Sequence, residues 1–64
     1  MPDFQIHREG RDCLFLPCSF AAQDWAAEYL RHAPRVGTAF AVPDDLANSL
    51  VSSLLEDAYE VEAV

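Results

Sequence analysis

The sequence predicts an α+β fold, a small two-layer sandwich in the order β-β-α-β-α-β, with one short sheet and two helices on one face. Three observations lead there. Apolar residues alternate near the start, in the middle and at the end of the chain. Two intervening stretches instead repeat at helical spacing. Finally, 64 residues suffice for a single small domain spanning 1–64, and a chain of this size has only a thin core. No repeat, low-complexity tract or linker interrupts it.

The first two strands are read from "DFQIHREGRDCLFLP". Phe4 and Ile6 alternate with Gln5 and His7, and Cys13 and Phe15 alternate with Leu14 and Leu16. This is the two-residue period of a pleated strand. "REGR" supplies the glycine of a tight hairpin between them. Pro17 has no N–H for a ladder, so it ends the second strand or marks an edge position.

From Ser19 the period lengthens. Ser19 is a suitable N-cap, and Ala22, Trp25, Ala26, Tyr29 and Leu30 follow on one helical face until Pro34 stops the run, predicting a helix over 20–32. The outward face has the like-charged Asp24 and Glu28 one turn apart, with Arg31 and His32 near the helix end, where the dipole favours cations.

"VGTAFAV" alternates Val36, Thr38, Phe40 and Val42 with Gly37, Ala39 and Ala41. That pattern predicts one inner strand, bulky on one side and small enough on the other for a helix to approach. Pro43, Asp44 and Asp45 then open a second helix. Leu46, Leu50, Val51, Leu54, Leu55 and Ala58 form its expected buried stripe, leaving Asn48, Ser49, Ser52, Ser53, Glu56 and Asp57 in water. "YEVEAV" reads as a last strand with Tyr59, Val61 and Ala63 inward and Glu60 and Glu62 projecting together, about 6.6 Å apart.

Charge is the strongest functional signal. The net charge is -7, and its distribution is uneven. Residues 1–35 balance to -1, whereas residues 36–64 hold Asp44, Asp45, Glu56, Asp57, Glu60 and Glu62 with no cation at all. Lysine is absent, so direct nucleic-acid binding through clustered basic residues is not expected. No 18-residue apolar run or signal peptide is present, so neither a membrane span nor export is expected.

Two cysteines are too few for the disulfide framework of a small secreted domain, which points to a reducing, cytoplasmic setting. Cys13 and Cys18 would lie about 16 Å apart on extended chain, beyond the roughly 7 Å reach of a disulfide. Their odd spacing also aims them at opposite faces, against a shared metal site with His7 or His32. Neither histidine has a nucleophile or acid at diagnostic spacing, and two glycines cannot build a phosphate loop. No enzymatic activity and no cofactor are expected.

The acidic residues Asp44, Asp45, Glu56, Asp57, Glu60 and Glu62 are therefore the expected partner-binding set, presenting a negative field to a basic protein surface. A protein that normally receives nucleic acid is the obvious target, because duplex DNA is itself a dense negative array. In size and composition the whole chain is similar in general character to phage-encoded inhibitors that mimic DNA, anti-CRISPR proteins among them. That similarity includes no motif and assigns no residue a role. It implies a protein-binding inhibitor; the high net charge itself favours a monomer or weak homodimer. The alternative is an oligomerising structural or antitoxin-type module that uses apolar surface of the first helix and hairpin.

Overall fold

Two glycines set the two hairpins. Gly10 and Gly37 each take the first position of a two-residue loop with φ +64°, a left-handed backbone that glycine adopts without steric cost. In the computed structural model, which describes all 64 residues, β1 (Phe4–Glu9) and β2 (Asp12–Pro17) pair antiparallel from Glu9↔Asp12 to Phe4↔Pro17. β3 (Arg35–Val36) and β4 (Ala39–Pro43) form the second hairpin. The stretch 36–42 is therefore two strands and a turn, where one inner strand was expected. The alternation holds only within β4: Gly37 is the corner, and the pairing Val36↔Ala39 places Val36 on the Ala39 face and not with Phe40 and Val42.

β4 pairs antiparallel with β2, and β5 (Val61–Ala63) pairs parallel with β1, giving the mixed order β3-β4-β2-β1-β5. The helices α1 (Phe20–Tyr29) and α2 (Asp44–Glu56) occupy the β2-to-β3 and β4-to-β5 connections. Cross-strand partners place Phe4, Ile6, Cys13, Phe15, Phe40 and Val42 on one sheet face. Those residues join Ala22, Trp25, Ala26 and Leu30 of α1 and Ala47 and Leu54 of α2 in a single core. Both helices thus cover one face, and the architecture is the two-layer α+β sandwich. The helices meet the bulky side of β4, not its small side; Ala39 and Ala41 look outward from the other face beside Leu14 and Leu16.

Phe4 is the hub of this core. Its ring makes edge contacts to Phe15, Trp25 and Tyr59 at centroid distances of 6.4, 5.7 and 6.0 Å, the arrangement aromatic quadrupoles prefer. Asp3, one residue earlier, fastens three segments. Its carboxylate accepts from the Ser19 hydroxyl at 2.7 Å and from the Glu60 N–H at 2.9 Å, and its carbonyl accepts from the Cys18 N–H at 2.7 Å. Ser19 in turn accepts from the Ala22 N–H at 3.1 Å, capping α1 as its residue type predicts.

Both helices differ from expectation in detail. α1 stops at Tyr29, so Arg31 and His32 lie in the turn beyond it. A residue before proline avoids the helical region, and the run unwinds upstream of Ala33-Pro34. In α2 the buried line passes through Ala47 and Leu54 with Leu50 and Val51 half-buried, while Leu46 and Leu55 are 56% and 58% exposed. Ala58 lies outside the helix with φ 66°. There the Tyr59 N–H donates to the Leu54 carbonyl and the Ala58 N–H to that of Leu55, closing a Schellman cap with alanine where glycine is usual. This cap turns the chain so that Tyr59 reaches Phe4.

Candidate functional site

The acidic residues expected to form one surface divide into three places. Asp44 and Asp45 begin α2 and Glu56 and Asp57 end it, a separation of about 18 Å along a helix rising roughly 1.5 Å per residue. Asp44 is internally neutralised. Arg8 donates to it through Nη2 at 3.0 Å and Nε at 3.4 Å, and the Cys13 thiol donates at 3.1 Å. The Cys13 bond and the Arg8 pair hold the Asp44 carboxyl below the usual aspartate range. Burial, followed by the neighbouring Asp44, pushes the Cys13 thiol upward, so it stays protonated as the donor. Of the six acids in this set, only Asp44 has a cationic partner.

Glu60 and Glu62 do stand together, bordering a shallow cleft with Met1 and Leu55. Glu60 immediately precedes β5, where its carbonyl accepts from the Asp3 and Phe4 N–H groups. Glu62 accepts from Gln5 Nε2 at 3.1 Å across the parallel β1–β5 pair. Neither carboxylate meets an arginine; the Arg8–Asp44 pair is the one salt bridge.

Asp57 faces a different neighbourhood. It shares a groove of about 410 Å³ with Asp24 and Glu28 of α1, walled by Trp25, Tyr29 and Tyr59. Trp25 is only 8% exposed and belongs to the core, whereas Tyr29 is 62% exposed, with ring centroids 5.0 Å apart. Tyr59 borders this groove and the Glu60–Glu62 cleft alike, although Glu62 pairs with Gln5 on the sheet face away from the helices. Asp24 and Glu28 were read in the sequence as an ordinary solvated helix face. The signal was their like charge one turn apart on the flank next to Trp25 and Tyr29.

Chemically this surface suits a cation. Carboxylates supply long-range attraction, and exposed aromatic faces add favourable contact to a guanidinium or ammonium group. No set of three histidine, cysteine or acidic side chains is close enough to hold a metal ion. No helix is long and apolar enough to cross a membrane. Comparison with protein-family models, with curated proteins and with solved structures finds no match to this chain.

Proposed function

We propose that this protein is a non-enzymatic binding module, an inhibitor or regulator that docks on a cationic protein surface through the carboxylates of Asp24, Glu28 and Asp57, with Glu56, Glu60 and Glu62 adding to the negative field. The observation that carries this reading is the groove itself: Asp24 and Glu28 of α1 and Asp57 just past α2 line it together with Trp25, Tyr29 and Tyr59, and no arginine is among its lining residues. Asp44 is left out of the docking set, being held by Arg8, and Asp45 belongs to the distant end of α2. A nucleic-acid-binding surface is the favoured target, since its basic residues are already arranged for dense negative charge. The parallel is with phage-encoded DNA-mimic inhibitors such as anti-CRISPR proteins, acting in the reducing cytoplasm.

The test compares wild-type bait with a variant in which Asp24, Glu28, Glu56, Asp57, Glu60 and Glu62 are changed to Asn or Gln. Proteins of the source cell retained by the first and lost from the second are identified by mass spectrometry, then bound to purified chain. Steering enhances association by about 10–10³-fold at low salt, so the wild-type on-rate should fall steeply as ionic strength rises and the variant's should not. Identical retention by both baits, or an on-rate indifferent to salt, would refute the proposal.

A second reading, an oligomerising module, draws on Leu14 and Leu16 on the uncovered sheet face and on exposed Leu46 and Leu55. Light scattering after size exclusion distinguishes the two. A tight dimer supports self-association; a monomer or weak dimer supports the docking module.

A further inference from the structure

Two of the four arginines converge on the opposite flank of α1 from the acidic groove. Gln23, Ala27 and Arg31 follow one another at i, i+4 and i+8 from α1 into the turn beyond it. They face Arg35 and Thr38 of the β3–β4 hairpin across a groove of about 490 Å³. No acidic residue lines it, and neither arginine has a carboxylate partner. In a chain with 11 acidic residues, two unpaired guanidiniums on one concavity are not expected from composition.

The arginines are also positioned. The Arg35 guanidinium lies 4.6 Å from the centroid of the buried Phe40 ring, a stacking that leaves its N–H edges free. Arg31 donates through Nε to His32 Nε2 at 3.3 Å, leaving its terminal nitrogens unspent. Ala27 leaves the space between them open. The Gln23 amide and Thr38 hydroxyl add neutral donors on the same walls.

The geometry points to a binding site for a compact phosphate-class oxyanion, either free phosphate or a phosphate monoester, in the Arg31–Arg35 groove. A carboxylate is one charge with two oxygens and is satisfied by one guanidinium. Two guanidiniums with further donors match the roughly two charges and three acceptor oxygens of a phosphate monoester. The site stands on residues other than those proposed for partner docking, so each survives failure of the other.

The experiment is a titration of isotopically labelled protein, followed by amide and side-chain resonances at pH about 7.5, where a phosphate monoester, with its second ionisation near about 6, is almost wholly dianionic and inorganic phosphate is mostly so. Inorganic phosphate, phosphoserine and acetate are compared at constant ionic strength. Phosphate should give saturable shifts at Gln23, Arg35 and Thr38 with a midpoint in the range of about 1–10 mM, and acetate should not saturate. R31Q/R35Q should raise the midpoint at least about tenfold; R31K/R35K, which keeps the charge but loses the planar fork, should also weaken it. R8Q/R11Q should leave it unchanged. Phosphoserine matching inorganic phosphate assigns a monoester site, and phosphate alone binding assigns a free-ion site. Absence of saturation up to about 50 mM phosphate, equal binding of acetate, or shifts that persist in a folded R31Q/R35Q variant would overturn the assignment.

Discussion

Replacing Phe4 by leucine should cost more than the same replacement at Phe15, although both rings are fully buried. Burial and side-chain volume lost are alike at the two sites, so those contributions largely cancel in the comparison. The difference lies in ring geometry. Phe4 makes edge contacts with Phe15, Trp25 and Tyr59, whereas Phe15 has only Phe4 as an aromatic neighbour. At about 0.5–1.5 kcal/mol for each such pair beyond area burial, the two additional pairs make Phe4→Leu about 1–3 kcal/mol more destabilising than Phe15→Leu. A 64-residue domain has about 3–10 kcal/mol in total, so this is a large fraction. Urea unfolding followed by far-UV circular dichroism measures it without relying on Trp25 fluorescence, which Phe4 contacts directly. The melting temperatures should separate by about 4–8 °C for each kcal/mol. Equal midpoints for the two variants, with unchanged slopes, would refute the view that Phe4 organises the core through its ring geometry.

Leu54→Ala should cost about 2–5 kcal/mol because Leu54 is fully buried, and Leu46→Ala or Leu55→Ala under about 0.5 kcal/mol; denaturant midpoints that rank otherwise would place the helix phase wrongly. Ala58→Gly should stabilise by about 0.5–1 kcal/mol, since glycine relieves the left-handed backbone at the α2 cap, and an unfolding curve shifted to lower urea would contradict this. Asp3 is held below the usual carboxylate range by the Ser19 hydroxyl and then the Glu60 N–H, and Asp44 by Cys13 and Arg8. A depressed folded value means that their stabilisation is complete above the unfolded value near about 4 and is lost as pH falls through the folded values. Unfolding midpoints measured from pH about 7 down to 2 should therefore decline below about 4, and Asp3→Asn should flatten that decline.

Much of this architecture could be read from local pattern. Gly10 between two alternating runs marked its hairpin, Ser19 marked its cap, and the β-branched and aromatic alternation marked the strands. The second hairpin was hidden because Gly37 and Thr38 continue the alternation in the sequence, whereas the two-residue turn reverses it, setting Val36 opposite Ala39 and Arg35 opposite Phe40. The α2 stripe was misphased because its apolar residues outnumber the core positions available, so Leu46 and Leu55 were assigned inward when the sheet had room for Ala47. The acidic bias itself was legible in composition. Its division was not, because Arg8 and Asp44 are 36 residues apart and meet only through the β1–β2 hairpin and the start of α2. The union of Asp24 and Glu28 with Asp57 likewise depends on which flank of α1 the Tyr59 turn approaches, and no local spacing encodes that.

The parallel pairing of β5 with β1 also sets an order of events in folding. Phe4 meets Val61 across 57 intervening steps of chain, whereas Glu9 meets Asp12 across three. Closing the longer loop costs about 2–3 kcal/mol more in chain entropy than closing the hairpin. The β1–β2 hairpin, a microsecond event in isolation, is thus available before β5 has anything to gain by docking. In reverse, β5 is the strand whose departure releases the most entropy while sacrificing only three residue pairs. Brief excursions that undock β5 would leave the other four strands joined, uncover the Phe4 edge and carry Tyr59, Glu60 and Glu62 away from the groove. Amide hydrogens of Phe4 and Val64, which bond to the Glu60 and Ile6 carbonyls, should then exchange by this sub-global opening, ahead of those in the β2–β4 ladder.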